Sequence, residues 1–121
     1  MFQDGLNKAL KHVPGARGCM LIGFDGIPIA SVYTEQEQTP EAQLVALSAE
    51  AANLLRKMHR MAADGELAYI GELSLSSERM TALARVVHRE YLLVLALSPE
   101  ADLNAGRRML RLLAPWIERE M

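Results

Sequence analysis

The residues of this chain that could do chemistry are few and scattered. Its three histidines, His12, His59 and His88, fall on two helical stretches and a turn, with no cysteine or acid cluster at ligand spacing around them. A zinc-type site needs such spacing, so they read as surface or half-buried imidazoles. Cys19, the only cysteine, lies inside the apolar run GCMLIGF. Reactive thiols need exposure and a positive neighbourhood, so Cys19 reads as structural. Its solitude excludes an internal disulfide and fits a reducing compartment. Ser76-Ser77 has no base near it in sequence and reads as a turn. Gly23 and Gly71 form no phosphate-cradling loop, and no GxxxxGK[ST] motif is present, so the chain itself is not expected to hydrolyse nucleotides. No catalytic, cofactor-binding or metal-ligating residue is expected.

The charged residues are more informative. Glu50, Asn53, Arg56, Lys57 and Arg60 recur on one side of a long helical stretch, flanked by the small residues Ala46, Ala49 and Ala52. A solvated face is the plain reading and a partner surface the alternative. Small residues let a second helix approach closely, which favours helix pairing in a dimer. Arg107, Arg108 and Arg111 also cluster at spacings of three and four, as one helical face allows. Glu118 and Glu120 partly balance them, and a solvated face is the simpler account.

The elements that must position these groups follow from apolar periodicity. Phe2, Leu6, Ala9, Leu10 and Val13 form a helical stripe that Pro14-Gly15 ends. Two apolar runs, Gly18–Phe24 and Ile27–Tyr33, flank Asp25-Gly26. That pattern predicts a hairpin with a type I′ turn, positive in φ at both central residues. Pro28 cannot donate a ladder hydrogen bond and assigns the second strand to a sheet edge. The longest helix is expected over Pro40–Asp64, with Thr39 as N-cap and Gly65 as C-cap. Leu44, Leu47, Ala51, Leu54, Leu55, Met58 and Met61 would make its buried face. Strands at Ala68–Leu75, Met80–Val87 and Tyr91–Leu97 follow, with turns at Ser76–Glu78 and His88–Glu90. The last helix starts near Ala101–Asn104, buries Leu103, Met109, Leu110, Leu113, Trp116 and Ile117, and is expected to kink or loosen at Pro115.

Gly18–Phe24 and Tyr91–Leu97 are apolar at nearly every position, as strands covered on both faces are. Pairing them joins the hairpin to the three-strand meander. The result is an α+β (α/β) fold, α-β-β-α-β-β-β-α, with one five-stranded antiparallel sheet in the order 2-1-5-4-3. The long helix would cover one face and the two terminal helices the other. The third strand then forms an edge with no proline and one charge, Glu72, a pairing hazard unless pairing is its purpose. At 121 residues a single domain spanning 1–121 is expected. A net charge of -2 does not suggest nucleic-acid binding, whose footprint is a strongly basic face. No run has the length of a membrane span and no secretory h-region opens the chain, so a soluble cytoplasmic protein without membrane insertion is expected.

The hairpin GCMLIGFDGIPIASVY at Gly18–Tyr33 and the tail EYLLVLALSPEADLNAGRRMLRLLAP at Glu90–Pro115 resemble the roadblock / dynein light chain superfamily, over essentially the whole chain. The family pattern at the start of the last helix is more often Asn-Leu-Gly, where this chain has Asn104-Ala105-Gly106. The resemblance implies a roadblock/profilin-like fold and a homodimer formed through the third strand and the long helix, giving a sheet continuous across two chains. Ala46, Ala49, Tyr69, Ile70, Glu72 and Leu73 would lie at that interface. It also implies a bacterial, MglB-like, non-catalytic partner of a small Ras-like (MglA-like) GTPase, without cofactors. Glu50, Asn53, Arg56, Lys57 and Arg60 would then be the GTPase-facing surface. A structural adaptor with no effect on nucleotide chemistry is the alternative. A small-ligand sensor fits less well, because no polar cluster converges on an apolar pocket.

Overall fold

A computed structural model describes residues 2–34, 41–64 and 70–121. Its elements run α1 (Phe2–His12), β1 (Ala16–Gly23), β2 (Pro28–Tyr33), α2 (Glu41–Asp64), β3 (Glu72–Ser76), β4 (Thr81–Val87), β5 (Tyr91–Leu97) and α3 (Leu103–Glu120). The strands form one sheet in the order β2-β1-β5-β4-β3, with every neighbouring pair antiparallel. The expected order and fold class are therefore those observed. β1 and β5, the two most apolar strands, pair from Gly18–Ala96 to Gly23–Tyr91 at the sheet's centre.

Side chains alternate across a strand, so β1, β4 and β5 each feed two cores. On one face Cys19, Leu21, Leu83, Leu93 and Leu95 meet Leu6, Ala9 and Val13 of the α1 region and Leu110, Leu113 and Ile117 of α3. On the other, Met20, Ile22, Ala82, Ala84, Leu92 and Val94 meet Leu44, Ala51, Ala52 and Leu55 of α2. The terminal helices thus share one face and, among the described residues, α2 alone takes the other. α3 starts on Asp102, whose carboxylate accepts from the Asn104 N–H at 2.9 Å. Gly106 lets α3 lie close to the sheet: a Cβ there would stand 2.7 Å from Leu83 Cδ1 and 3.1 Å from Leu97 Cδ1.

Several expectations are corrected. Only Gly26 of the Asp25-Gly26 pair has positive φ, at 85°. The Gly26 N–H donates to the Gly23 carbonyl at 2.9 Å and the Gly23 N–H to Ile27 at 3.1 Å. The connection is thus a three-residue loop, Phe24–Gly26, closed by one left-handed residue, and not a type I′ turn. A bulge follows on β2: Leu21 faces Ala30 and Ile22 faces Pro28, leaving Ile29 as the extra residue. β3 starts at Glu72 rather than Ala68, although the Gly71 carbonyl already accepts from Val86 N–H at 2.8 Å. β4 begins at Thr81 because Ser77 organises the preceding turn, its hydroxyl accepting from Met80 N–H at 3.2 Å. α3 continues through Pro115 to Glu120. Pro115 and Arg111 are both exposed, so water can serve the carbonyl that the missing N–H leaves unpaired. Thr39, Pro40, Gly65, Ala68 and Tyr69 lie outside the described residues.

Gly26 makes the loop testable. A Cβ at Gly26 would find only Ala49 Cβ, at 3.8 Å, so space does not oppose a side chain. The cost of Gly26→Val is conformational, about 1–3 kcal/mol for a β-branched residue held at positive φ. Thermal denaturation is expected to show a lower Tm, and an unchanged Tm would rule out the left-handed loop.

Candidate functional site

The spacing of α2 sorts its residues into a sheet-facing side, one flank and an outer side. Leu44, Ser48, Ala51, Ala52 and Leu55 face the sheet and are buried. Leu47 and Met58 are half-buried, and Leu54, expected in the core, is 39% exposed. Leu54 and Leu55 are adjacent, so their side chains point about 100° apart on a 3.6-residue helix and cannot both face the sheet. The sheet took the 44-48-51-55 line and left Leu47, Leu54 and Met58 as a stripe on the flank. Ser48 and Ala52, not assigned to the core from sequence, are fully buried because they stand beside that line. Met61 lies outside the described side chains.

The outer side carries the polar residues expected there. Glu50, Arg56, Lys57 and Arg60 are exposed, and Asn53 is half-buried. Arg56 Nη2 donates to Asn53 Oδ1 at 2.9 Å, one turn back along the helix. Ala46 is exposed and Ala49 half-buried, so both can meet a neighbouring surface without a long side chain in the way. One carboxylate and three cations make this face mixed but locally positive.

The sheet edge beside α2 completes the picture. Leu73 pairs with Ala84 and Leu75 with Ala82, which places both leucines on the α2 side of the sheet, half-buried. Glu72 and Ser74 pair with Arg85 and Leu83 on the opposite side. Because the Gly71 carbonyl bonds inward to Val86, antiparallel alternation turns the backbone groups of Leu73 and Leu75 toward β4. Those of Glu72, Ser74 and Ser76 face outward from the edge. The Glu72 side chain is engaged within the chain: Arg107 Nε lies 3.2 Å from one carboxylate oxygen and Arg85 Nη1 3.6 Å from the other. Arg107 is thus engaged with Glu72, while Arg108 and Arg111 are exposed. Ile70 lies before the strand, packs toward the α2-side core, and accepts at its carbonyl from His59 Nε2 at 2.8 Å.

The chemically capable residues stay apart. His59 lies against the Phe24 ring, centroids 5.7 Å apart, while His12 and His88 are exposed on α1 and the β4–β5 turn. That turn holds both His88 and Arg89 at positive φ, 54° and 64°, a backbone feature that no glycine in the sequence announced. Cys19 is fully buried, and loss of hydration pushes its thiol up to about 12, a backbone hydrogen bond at Met20 acting weakly the other way. It is a neutral, inert thiol at neutral pH. Among the described residues no group of His, Cys, Asp and Glu could hold a metal ion, and no helix is long and apolar enough to cross a membrane.

The family model described as Roadblock/LC7 domain matches residues 3–96. No match is found among curated proteins. Among solved structures, the chain is similar to MglC from Myxococcus xanthus, with 30% identity over 99% of this chain and 98% of that one, at a TM-score of 0.70. It is similar to the gliding protein MglB from Thermus thermophilus, with 22% identity, coverage of 98% and 86%, and a TM-score of 0.84. An MglB in a tetrameric arrangement gives 23% identity, coverage of 98% and 85%, and a TM-score of 0.85. The two MglB likenesses speak for the fold.

Proposed function

The chain belongs to the Roadblock/LC7 domain family, and from that membership we propose that it is a non-catalytic homodimeric module, acting as one unit, that binds and regulates a small Ras-like GTPase in the cytoplasm. The observation that carries the reading is the pairing of an open sheet edge with a single covering helix. Among the described residues α2 alone covers its face of a five-stranded sheet, and Leu73 and Leu75 stay half-buried at the margin. A second copy joined along β3 brings its own α2 onto that margin and buries the leucines. Total buried area is expected on the order of 1,200–2,000 Å² or more. Ala46, Ala49, Tyr69, Ile70, Glu72 and Leu73 are the residues assigned to this contact.

Two such helices side by side present Glu50, Asn53, Arg56, Lys57 and Arg60 twice over. One GTPase straddling both would break the two-fold symmetry and give two chains per GTPase. Mixed rim charge of this kind steers encounter and selects partners more than it adds affinity. A regulator must bind the two nucleotide states unequally, because a ligand with equal affinity for both shifts nothing.

Calorimetry against a Ras-like GTPase from the same genome, loaded in turn with each nucleotide, tests the proposal. Binding is expected to favour one state, and K57E/R60E is expected to weaken it about tenfold or more, some 1.4 kcal/mol, with the dimer intact. Equal affinity for both states, or no binding, would leave the adaptor function in its place.

A further inference from the structure

On the layer opposite α2, helices α1 and α3 enclose an open groove of about 1010 Å³. Its floor is apolar: Trp116 and Leu113 of α3 lie against Gly5 of α1, where an added Cβ would stand 2.6 Å from Trp116 Cζ3 and 2.9 Å from Leu113 Cδ1. Leu112 stands on its α3 wall 74% exposed, the most exposed large apolar side chain among the described residues. The rim is basic. Lys8 and Lys11 come from α1 and Arg119 from α3, with His12 beside them and Asp4 as the one carboxylate. This concentration of positive charge runs against the chain's net charge of -2. Single exposed leucines are ordinary, but one set in a concave, aromatic-floored and cation-rimmed groove is not.

We propose that the α1–α3 groove docks an acidic amphipathic segment of a partner protein, its apolar side on Trp116 and Leu112 and its carboxylates toward Lys8, Lys11 and Arg119. Helix-in-groove recognition uses this division, with apolar anchors at helical spacing and charge at the rim. The charge pattern disfavours a second copy of this chain, since a two-fold contact would set the same cations against one another. The groove lies across the sheet from α2, so occupancy does not compete with the surface proposed for the GTPase.

Trp116 is the only tryptophan of the chain and reports directly on the groove. The test titrates the full-length protein with a synthetic leucine–glutamate helix of about four turns and with its leucine–lysine counterpart, following Trp116 emission. The glutamate peptide is expected to shift the emission to the blue, more weakly as salt rises. K8E/K11E is expected to weaken it about tenfold or more while the circular-dichroism melt stays unchanged. Absence of a shift, equal binding of the lysine peptide, or undiminished binding by K8E/K11E would overturn the proposal. Sedimentation of Leu112→Ser gives a further arm: a reduced oligomer would show a self-contact and overturn it as well.

Discussion

Leu73→Lys is expected to raise the dimer dissociation constant on the order of a hundredfold, which corresponds to about 2.7 kcal/mol. Leu73 is half-buried in the single chain and faces Ala84, a residue too small to cover it. The proposed contact completes its burial, and fully burying a leucine contributes about 1.5–3 kcal/mol. Lysine forfeits that and brings a charge that must stay hydrated. Ser74→Pro probes the same contact through the backbone. The Ser74 N–H faces outward from β3, so a proline there leaves the β3–β4 ladder whole and removes a donor only from the joined sheet. Both variants are expected to sediment as folded monomers at micromolar concentration. A wild-type protein that is already monomeric, or either variant remaining dimeric, would refute pairing through β3.

Leu83→Ala is expected to cost about 2–5 kcal/mol, the range for a fully buried leucine reduced to alanine, and to lower Tm on the order of 10 °C. Leu83 is fully buried, pairs with Leu95 across the ladder, and presents a methyl 2.7 Å from where a Cβ on Gly106 would lie. That proximity makes the effect reversible in part. Alanine is a better helix residue than glycine by about 1 kcal/mol, so Gly106→Ala gains propensity everywhere. In the intact core the new methyl must displace the Leu83 side chain, and the gain is cancelled. In the Leu83→Ala background it enters the vacated space. The double variant is expected to melt above Leu83→Ala by about 1 kcal/mol, while Gly106→Ala alone is not stabilised. Strict additivity of the two changes would show that α3 and β4 do not meet at this point.

The strand order was legible because only Gly18–Phe24 and Tyr91–Leu97 lack polar residues, and only strands covered on both faces tolerate that. That both faces of the sheet carry helices followed from the same fact. Local backbone detail was less accessible. Asp25-Gly26 signals a turn, but whether one or two residues are left-handed depends on how Phe24 joins the loop; its N–H donates to the Glu90 carbonyl of a neighbouring hairpin, 2.9 Å away. The outer face of α2 was legible residue by residue, since charged side chains recur there at helical spacing. Its buried face was not, because seven apolar residues span more arc than one sheet can cover, and neighbours such as Leu54 and Leu55 compete for it. The α1–α3 groove is not legible because the sequence divides its floor from its rim. Trp116 and Leu113 read as core, Lys8 and Lys11 as solvated surface, and only the crossing of two helices at Gly5 sets them together.

The two margins of the sheet are unlike, and under the proposed pairing this sets where growth would end. β2 carries Pro28, which has no N–H to offer, and a bulge at Ile29 that breaks the regular spacing of its backbone groups. β3 is straight in register from Glu72 to Ser76. Joining two copies at β3 is self-complementary and consumes the flat margin of each, so what remains at either end is β2. A chain with two flat margins would add copies without limit, as fibres do. With one flat and one blunted, the proposed pairing has a last step, and that step would be the second copy.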